Sequence, residues 1–287
     1  MLIIAGFVTV ILCTFGGYVA LGGHLAVLWQ PFEVVIICGA AVGTYLTANS
    51  KTVLKNTGGA LKAAIKGTPY TKESYLELLS LLYQIFKVAK SKGMLALEPH
   101  VENPEESALF NAFPTVANNH HALTFLRDYL RLISLGTENP HTLEDLMDEE
   151  IDTHHEESNQ IATAIQTVAD SMPALGIVAA VLGIIKTMGA ISEPPEVLGK
   201  LIGGALVGTF LGVWIAYGFV APLASALKAL YGAEHRYYIC IKAGLLAYLH
   251  GYAPAVCVEF ARKALFHNVR PDFYEVEETT AALPPAA

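Results

Sequence analysis

The chain has 287 residues, 53% of them hydrophobic and only 15% charged, with a formal net charge of −8 and a mean hydropathy of +0.45. That balance is too apolar for an ordinary soluble domain and fits a polytopic membrane protein with a sizeable water-exposed part. The acidic charge argues against a nucleic-acid partner.

Leu2 to about Leu21 is the first apolar span, close to the roughly 20 residues needed to cross the hydrocarbon core. It has no basic leader and no small-residue cleavage pattern, so it reads as an uncleaved span rather than a signal peptide. A shorter span runs from about Val34 to Ala48. Lys51, Lys55, Lys62, Lys66 and Lys72 then crowd its exit, and no Lys or Arg precedes Lys51.

The segment Ser50–Asp170 is expected to be helical. Thr71 to about Lys92 opens with a cap and stops at Gly93. A short helix is expected to start at Asn103-Pro104, and another to cover roughly Asn118 to Leu135. Asn139 and Pro140 look like an N-cap and first helical position. Leu143, Leu146, Met147 and Ile151 recur at helical spacing, as do Ile161, Ile165 and Val168. They predict one long helix that continues into a third span, Met172–Ile191.

The fourth span is Leu201 to about Leu223, after a short loop holding Glu193 and Glu196. Lys228, Arg236 and Lys242 follow it, and Thr279–Ala287 is expected to be disordered. The divisions are 1–50 and 171–226 for the transmembrane helices, and 51–170 and 227–287 for the water-exposed parts. Basic residues flank the long segments and avoid the short loops. The positive-inside rule therefore places both long segments and both termini in the cytoplasm. The fold class is an all-α polytopic membrane protein, with four transmembrane helices and a helical cytoplasmic domain.

No Asp or Glu lies inside any expected span, with Glu33 assigned to a short loop. A proton path would ordinarily use such an acid, so either the chain is a passive scaffold or a partner supplies it. Gly204, Gly208, Gly212 and Ala216 fall at four-residue intervals in span four, as do Gly39 and Gly43 in span two. Span three carries Gly176 with Ala180, and Ala179 with Gly183. Such rows let helices approach closely.

Pro173 and Pro222 lie near one end of spans three and four, where each marks either a helix end or a hinge. Thr209 is either back-bonded to its own helix or a polar group facing an ion path. Thr187, Ser171 and Lys186 are polar too, and Lys186 is expected to snorkel.

The acidic run from Glu144 to Glu157, with His154 and His155, reads as a solvated face, because HExxH is absent. GxSxG and a P-loop are absent as well, so no enzyme chemistry and no metal or other cofactor is expected. Cys13, Cys38, Cys240 and Cys257 show no metal-ligand spacing and read as packed thiols.

Asp170-Ser-Met-Pro-Ala-Leu-Gly-Ile-Val-Ala-Ala-Val-Leu-Gly183 resembles span three of the MotA family of flagellar-motor stator subunits. Val207-Gly-Thr-Phe-Leu-Gly-Val-Trp-Ile-Ala-Tyr-Gly-Phe-Val-Ala-Pro-Leu223 resembles its span four. The likeness extends to Leu146-Met-Asp-Glu-Glu-Ile151, Asp128-Tyr-Leu-Arg-Leu-Ile133, Gly251-Tyr-Ala-Pro254 and Val258-Glu-Phe-Ala-Arg-Lys263. It implies a stator in the bacterial inner membrane, with H+ as the coupling ion. A MotB-like partner would supply the proton-accepting Asp, and five copies of this chain would surround two such partners.

The resemblance further implies that Pro173 and Pro222 couple protonation to movement. Ala180, Thr187, Thr209 and Tyr217 would lie along the proton path. Lys90 and Glu98 would contact the rotor protein FliG, although a lysine cannot reproduce the bidentate geometry of the family's arginine. The alternatives are an ExbB/TolQ-type energiser, which typically has three spans, and a structural scaffold without an ion path.

Overall fold

The computed structural model describes residues 2–136 and 139–284, and all regular structure among them is helical. Two compact units emerge, Met1–Gly67 with Glu157–Leu230, and Thr68–Glu156 with Tyr231–Ala287. Four helical stretches are long and apolar enough to cross a membrane: Leu2–Ala20, Leu25–Ala48, Pro140–Met188 and Pro195–Leu249.

The first unit begins with α1 (Leu2–Ala20), which is apolar throughout and buries no residue within the chain. Cys13 is accordingly exposed and not a packed thiol, whereas Cys240 and Cys257 are buried. The single turn α2 (Leu25–Leu28) leads to α3 (Pro31–Ala48). Proline is well suited to open a helix, because the first helical N–H has no intrahelical partner. Its helix therefore starts three residues before the expected Val34, and Glu33 lies in its first turn rather than in a loop.

The basic cluster is itself a helix, α4 (Lys51–Lys66), capped where Ser50 Oγ accepts from Val53 N at 3.4 Å. Tyr45 and Thr57 join α3 to α4 through a 2.5 Å hydroxyl–hydroxyl hydrogen bond.

The second unit is built on α5 (Lys72–Lys92), which is capped by Thr71 and ends at Gly93 with φ +86°. Its buried side includes Tyr75, Leu78, Leu79, Leu82, Ile85 and Phe86. A 3-10 turn, Met94–Leu97, follows, and then α6 (Glu98–Glu102), α7 (Ala108–Asn111) and α8 (Pro114–Ala117). The helix expected to start at Asn103-Pro104 is absent. Asn103 ends α6, the Pro104 carbonyl accepts from Ser107 N in a turn, and Ser107 Oγ caps α7. The hydroxyl at 107 thus wins the helix start over the proline.

Next comes α9 (His120–Ser134), capped by Asn119, and α10 (Pro140–Met188), whose first turn is held by Asn139 Oδ1 accepting from His141 N. Pro173 sits inside α10 and does not end it.

The same holds at Pro222. α11 (Pro195–Ile215) passes through a π turn, Ala216–Val220, directly into α12 (Ala221–Leu249). A proline inside an α-helix removes one N–H and presses its ring on the carbonyl four residues back. The wider π turn just before it relieves that contact, so of the two readings, an end or a hinge, the helix end is excluded.

Two short helices close the chain, α13 (Pro254–Lys263) and α14 (Phe273–Ala281). The disorder expected from Thr279 onward is not seen in its described part. Asp272 and Glu275 form a capping box, Val276 is buried, and Thr279 and Thr280 are helical. Gln84 Nε2 donates to Pro284 O at 3.4 Å, and residues 285–287 lie outside the described residues.

Candidate functional site

The predicted path residues all fall in the first unit, where α10 and α11 meet along a seam of glycines. Gly212 faces Gly176 so closely that a Cβ on Gly212 would stand 2.7 Å from Met172 O and 2.8 Å from Gly176 Cα. A Cβ on Gly176 would meet Gly208 O at 2.8 Å, and one on Gly183 would meet Ala205 Cβ at 2.7 Å. Those contacts are mostly with backbone, which cannot swing aside. Only hydrogen at these positions permits the approach, and dispersion then holds the pair without a hydrophobic drive from lipid.

Ile37, Ala41, Met172, Ala179, Val207, Leu211 and Ala216 complete the packed centre. The rows in span two behave differently: a Cβ on Gly39 or Gly43 would have nothing within 4 Å.

Along α11 the seam is closed by the segment before α3. Gln30 lies over Gly204, with Nε2 3.0 Å from where its Cβ would be. One turn on, a Cβ on Gly208 would be 3.0 Å from both Ala180 N and Glu33 Oε2. Glu33 is only 9% exposed, and Oε2 has no hydrogen-bond partner among the described residues. The expectation that no acid lies within the spans is therefore corrected at Glu33. Pro31 at the helix start was the signal that could have placed it inside.

Ala180 is buried. Thr209 is half-buried and its side chain makes no hydrogen bond with a described residue, so its hydroxyl is not back-bonded. Thr187 is, through Oγ1 to Gly183 O at 2.9 Å. Lys186 is exposed, and Tyr217, on the π turn, is 59% exposed. Trp214 fastens α11 to α1. Its Nε1 donates to Thr14 Oγ1 at 3.1 Å, and its ring meets Phe15 and Phe219 edge-on.

Lys90 and Glu98 belong to the second unit and are both exposed. The Glu98 side chain makes no hydrogen bond with a described residue. Lys90 Nζ instead reaches main-chain oxygens at the end of α12. The acidic run is ordered on one side: Lys242 Nζ bonds Asp148 Oδ2 at 2.6 Å, and Tyr129 Oη donates to Glu150 Oε2 at 2.7 Å. Burial is the main cause that pushes the Tyr129 phenol up, and the Glu150 carboxylate adds to it. Among the described residues no group of His, Cys, Asp and Glu could hold a metal ion.

Residues 4–93 match the Motility protein A N-terminal family and residues 117–238 the MotA/TolQ/ExbB proton channel family. Motility protein A of Salmonella typhimurium is 44% identical over 283 residues, which cover 99% of this chain and 96% of the relative. Its Escherichia coli counterpart matches to the same extent. Chemotaxis protein LafT of Vibrio parahaemolyticus is 36% identical over 96% of this chain and 97% of its own. In fold, the chain is similar to C. jejuni MotAB, with a TM-score of 0.78 and 21% identity, covering 93% of this chain and 96% of that one. It is also similar to the flagellar MotAB stator complex of Bacillus subtilis, with a TM-score of 0.70 and 24% identity, covering 89% and 92%.

Proposed function

This chain belongs to the Motility protein A family, within the MotA/TolQ/ExbB proton channel group, and from that membership we propose how it works as a flagellar stator subunit. With a MotB-type partner it forms a proton channel and converts proton flow into torque on the rotor. The observation that carries this is the glycine seam of α10 and α11, set in a chain similar to Motility protein A along 99% of its length.

The chain spans the bacterial inner membrane with its long segments and termini in the cytoplasm, as the placement of its Lys and Arg residues supports. Ile177, Val178, Val181 and Leu182 on α10, and Leu206 and Val213 on α11, are exposed in the single chain. Several copies, five around two MotB helices, would cover them, with α10 and α11 facing the partner. The partner's aspartate carries the travelling proton. Neutralising it changes which ring interface it prefers, because an ion is costly to hold in the membrane.

One proton crossing roughly 100 mV releases about 2.3 kcal/mol, enough to bias a small helix shift but not to refold a unit. Pro173 and Pro222 are where the inner helices give, since each leaves a carbonyl without its helical donor. The second unit then pushes FliG through Lys90 and Glu98. Protons are the coupling ion. The buried Ala180 offers no side-chain oxygen to replace the lost hydration of sodium.

The test is complementation. The chain, expressed with its MotB-type partner in a strain lacking its stators, is expected to restore swimming whose speed follows proton-motive force and ignores external sodium. A chain that reaches the membrane and binds its partner but restores no swimming would refute the reading.

A further inference from the structure

Glu33 is a buried acid within the spans that the stator mechanism leaves unused. Its carboxylate oxygen Oε2 has no hydrogen-bond partner among the described residues, and the side chain is almost fully covered. Gly208 lies against it, in the same seam where Ala179 and Ala180 of α10 approach α11. Seven residues separate Leu201, the first of the apolar run, from Gly208. At the helical rise this puts the carboxylate roughly 10 Å inside that run.

Folding does not account for the group. An unbonded buried polar side chain costs stability, and an apolar residue would pack there at lower cost. Around it, α11 presents Gly204 and Gly208, α10 presents Ala179 and Ala180, and the preceding segment presents Gln30. On the neighbouring turns of these elements, the charged groups His24, Lys186, Glu196 and Lys200 are exposed, and α3 itself carries a half-buried thiol, Cys38, and the phenol of Tyr45, which is bonded to Thr57. Glu33 thus has no ion pair to break when it takes up or releases a proton. An ionisable side chain kept in the membrane under those conditions marks an ion pathway.

We propose that Glu33 is a proton-relaying residue of the channel, on the outer side of the partner's aspartate. Its carboxyl group passes its proton to the partner's carboxylate. The carboxylate left behind at Glu33 takes a proton from outer water, so one proton enters for each one delivered. Thr209, whose hydroxyl is unbonded and which follows Gly208 in sequence, offers a next polar group along the path. Glycine at 208 suits the relay as well as the packing, because a Cβ there would crowd the carboxylate at 3.0 Å and push it aside by a few tenths of an ångström.

This inference rests on the stator reading, and the experiment separates the two. The unmodified chain, Glu33→Gln and Glu33→Asp are each expressed with the partner in a stator-less strain. Membrane level, co-purification with the partner, and low-load rotation speed are measured across external pH. Failure of the unmodified chain to drive rotation would bring down the stator reading and the relay together. If it drives rotation, Glu33→Gln is expected to assemble normally yet rotate several-fold more slowly, with the deficit growing as external pH rises. Glu33→Asp, which keeps the acid, should recover most of the speed. The relay is overturned if Glu33→Gln matches the unmodified chain at every pH. It is equally overturned if Glu33→Gln and Glu33→Asp are equally slow with a flat pH profile.

Discussion

Lys90 Nζ donates to Gly251 O at 3.2 Å and to Tyr252 O at 3.4 Å, the residues that close α12. Gly251 has φ +82°, its N–H bonds Tyr248 O at 2.8 Å, and Tyr252 N bonds Ala247 O at 3.3 Å. This paired closure at a left-handed glycine leaves carbonyls facing outward at the negative end of the helix. A lysine there satisfies them and complements the dipole. Lys90 therefore has a structural task alongside its proposed rotor contact.

Lys90→Ala is expected to lower the stability of the purified complex by about 0.3–1 kcal/mol, the worth of an exposed cation at a helix C-terminus. Lys90→Arg should retain it. Glu98→Lys should leave thermal unfolding unchanged and reduce torque, since the Glu98 side chain is exposed and makes no hydrogen bond or ion pair with a described residue. Thermal unfolding that shifts for Glu98→Lys but not for Lys90→Ala would reverse these assignments.

Arg262 is buried and grips Glu259 through two bonds, Nε at 2.6 Å and Nη2 at 2.8 Å, while Nη1 donates to Pro271 O at 2.8 Å. The Arg262 hydrogen bond is the chief cause that holds the Glu259 carboxyl below its ordinary value of 4.5. The folded chain binds fewer protons at Glu259 than the unfolded chain does. Its contribution is therefore full above that ordinary value and lost as pH falls through the lower folded value. Arg262→Ala is expected to cost about 2–3 kcal/mol, because it takes the bidentate partner from a partly buried carboxylate and leaves it only the exposed Lys263 at 3.7 Å. The loss should be largest near neutral pH and shrink in acid. A denaturant series against pH checks it, and a pH-independent loss would contradict it.

Local rules made much of the fold legible. Thr71, Asn139 and Gly93 stand where a hydroxyl or amide caps and a glycine stops a helix, and the structure uses all three. The long helix into span three followed from Leu143, Met147 and Ile151 at helical spacing. What escaped depends on tertiary packing. Glu33 reads as a loop acid until α11 is laid against it, and its burial is a property of Gly208 as much as of α3. Pro222 reads as either a stop or a hinge, because a π turn has no local signature in Ala216–Val220 to decide between them. The glycine rows announced close packing in spans two, three and four, but only those on α10 and α11 find each other within the chain.

Gly212→Ala is expected to destabilise the first unit by about 1–3 kcal/mol, the usual cost of forcing volume into a packed interface. The added carbon meets the backbone of Met172 and Gly176, which can yield only by spreading α10 from α11. Gly199→Ala, with open space around it, should be neutral. Thermal aggregation of the solubilised complex distinguishes them. Equal midpoints for both variants would show that the seam is not close-packed.

Pro222 and the π turn before it act as one unit. Pro222→Ala restores an N–H and removes the ring, so an α-type bond back to the Gly218 carbonyl becomes available. Full conversion to α-helix is opposed, however. A π turn holds an extra residue, and absorbing it would rotate one flank against the other by about 100°. Trp214 and Phe219 resist that rotation, because they are docked on Thr14, Phe15 and Phe7 of α1. The variant should therefore keep its assembly and be as stable as the natural chain or more so, since an interior helical proline costs about 3 kcal/mol. What it should lose is motion, because the helix gains a bond at the level where we propose that the inner helices give. The expected result is normal co-purification with the partner, an unchanged or higher unfolding temperature, and strongly reduced torque at high load. Full torque combined with a lower unfolding temperature would show that the proline stabilises a fixed bend and drives nothing.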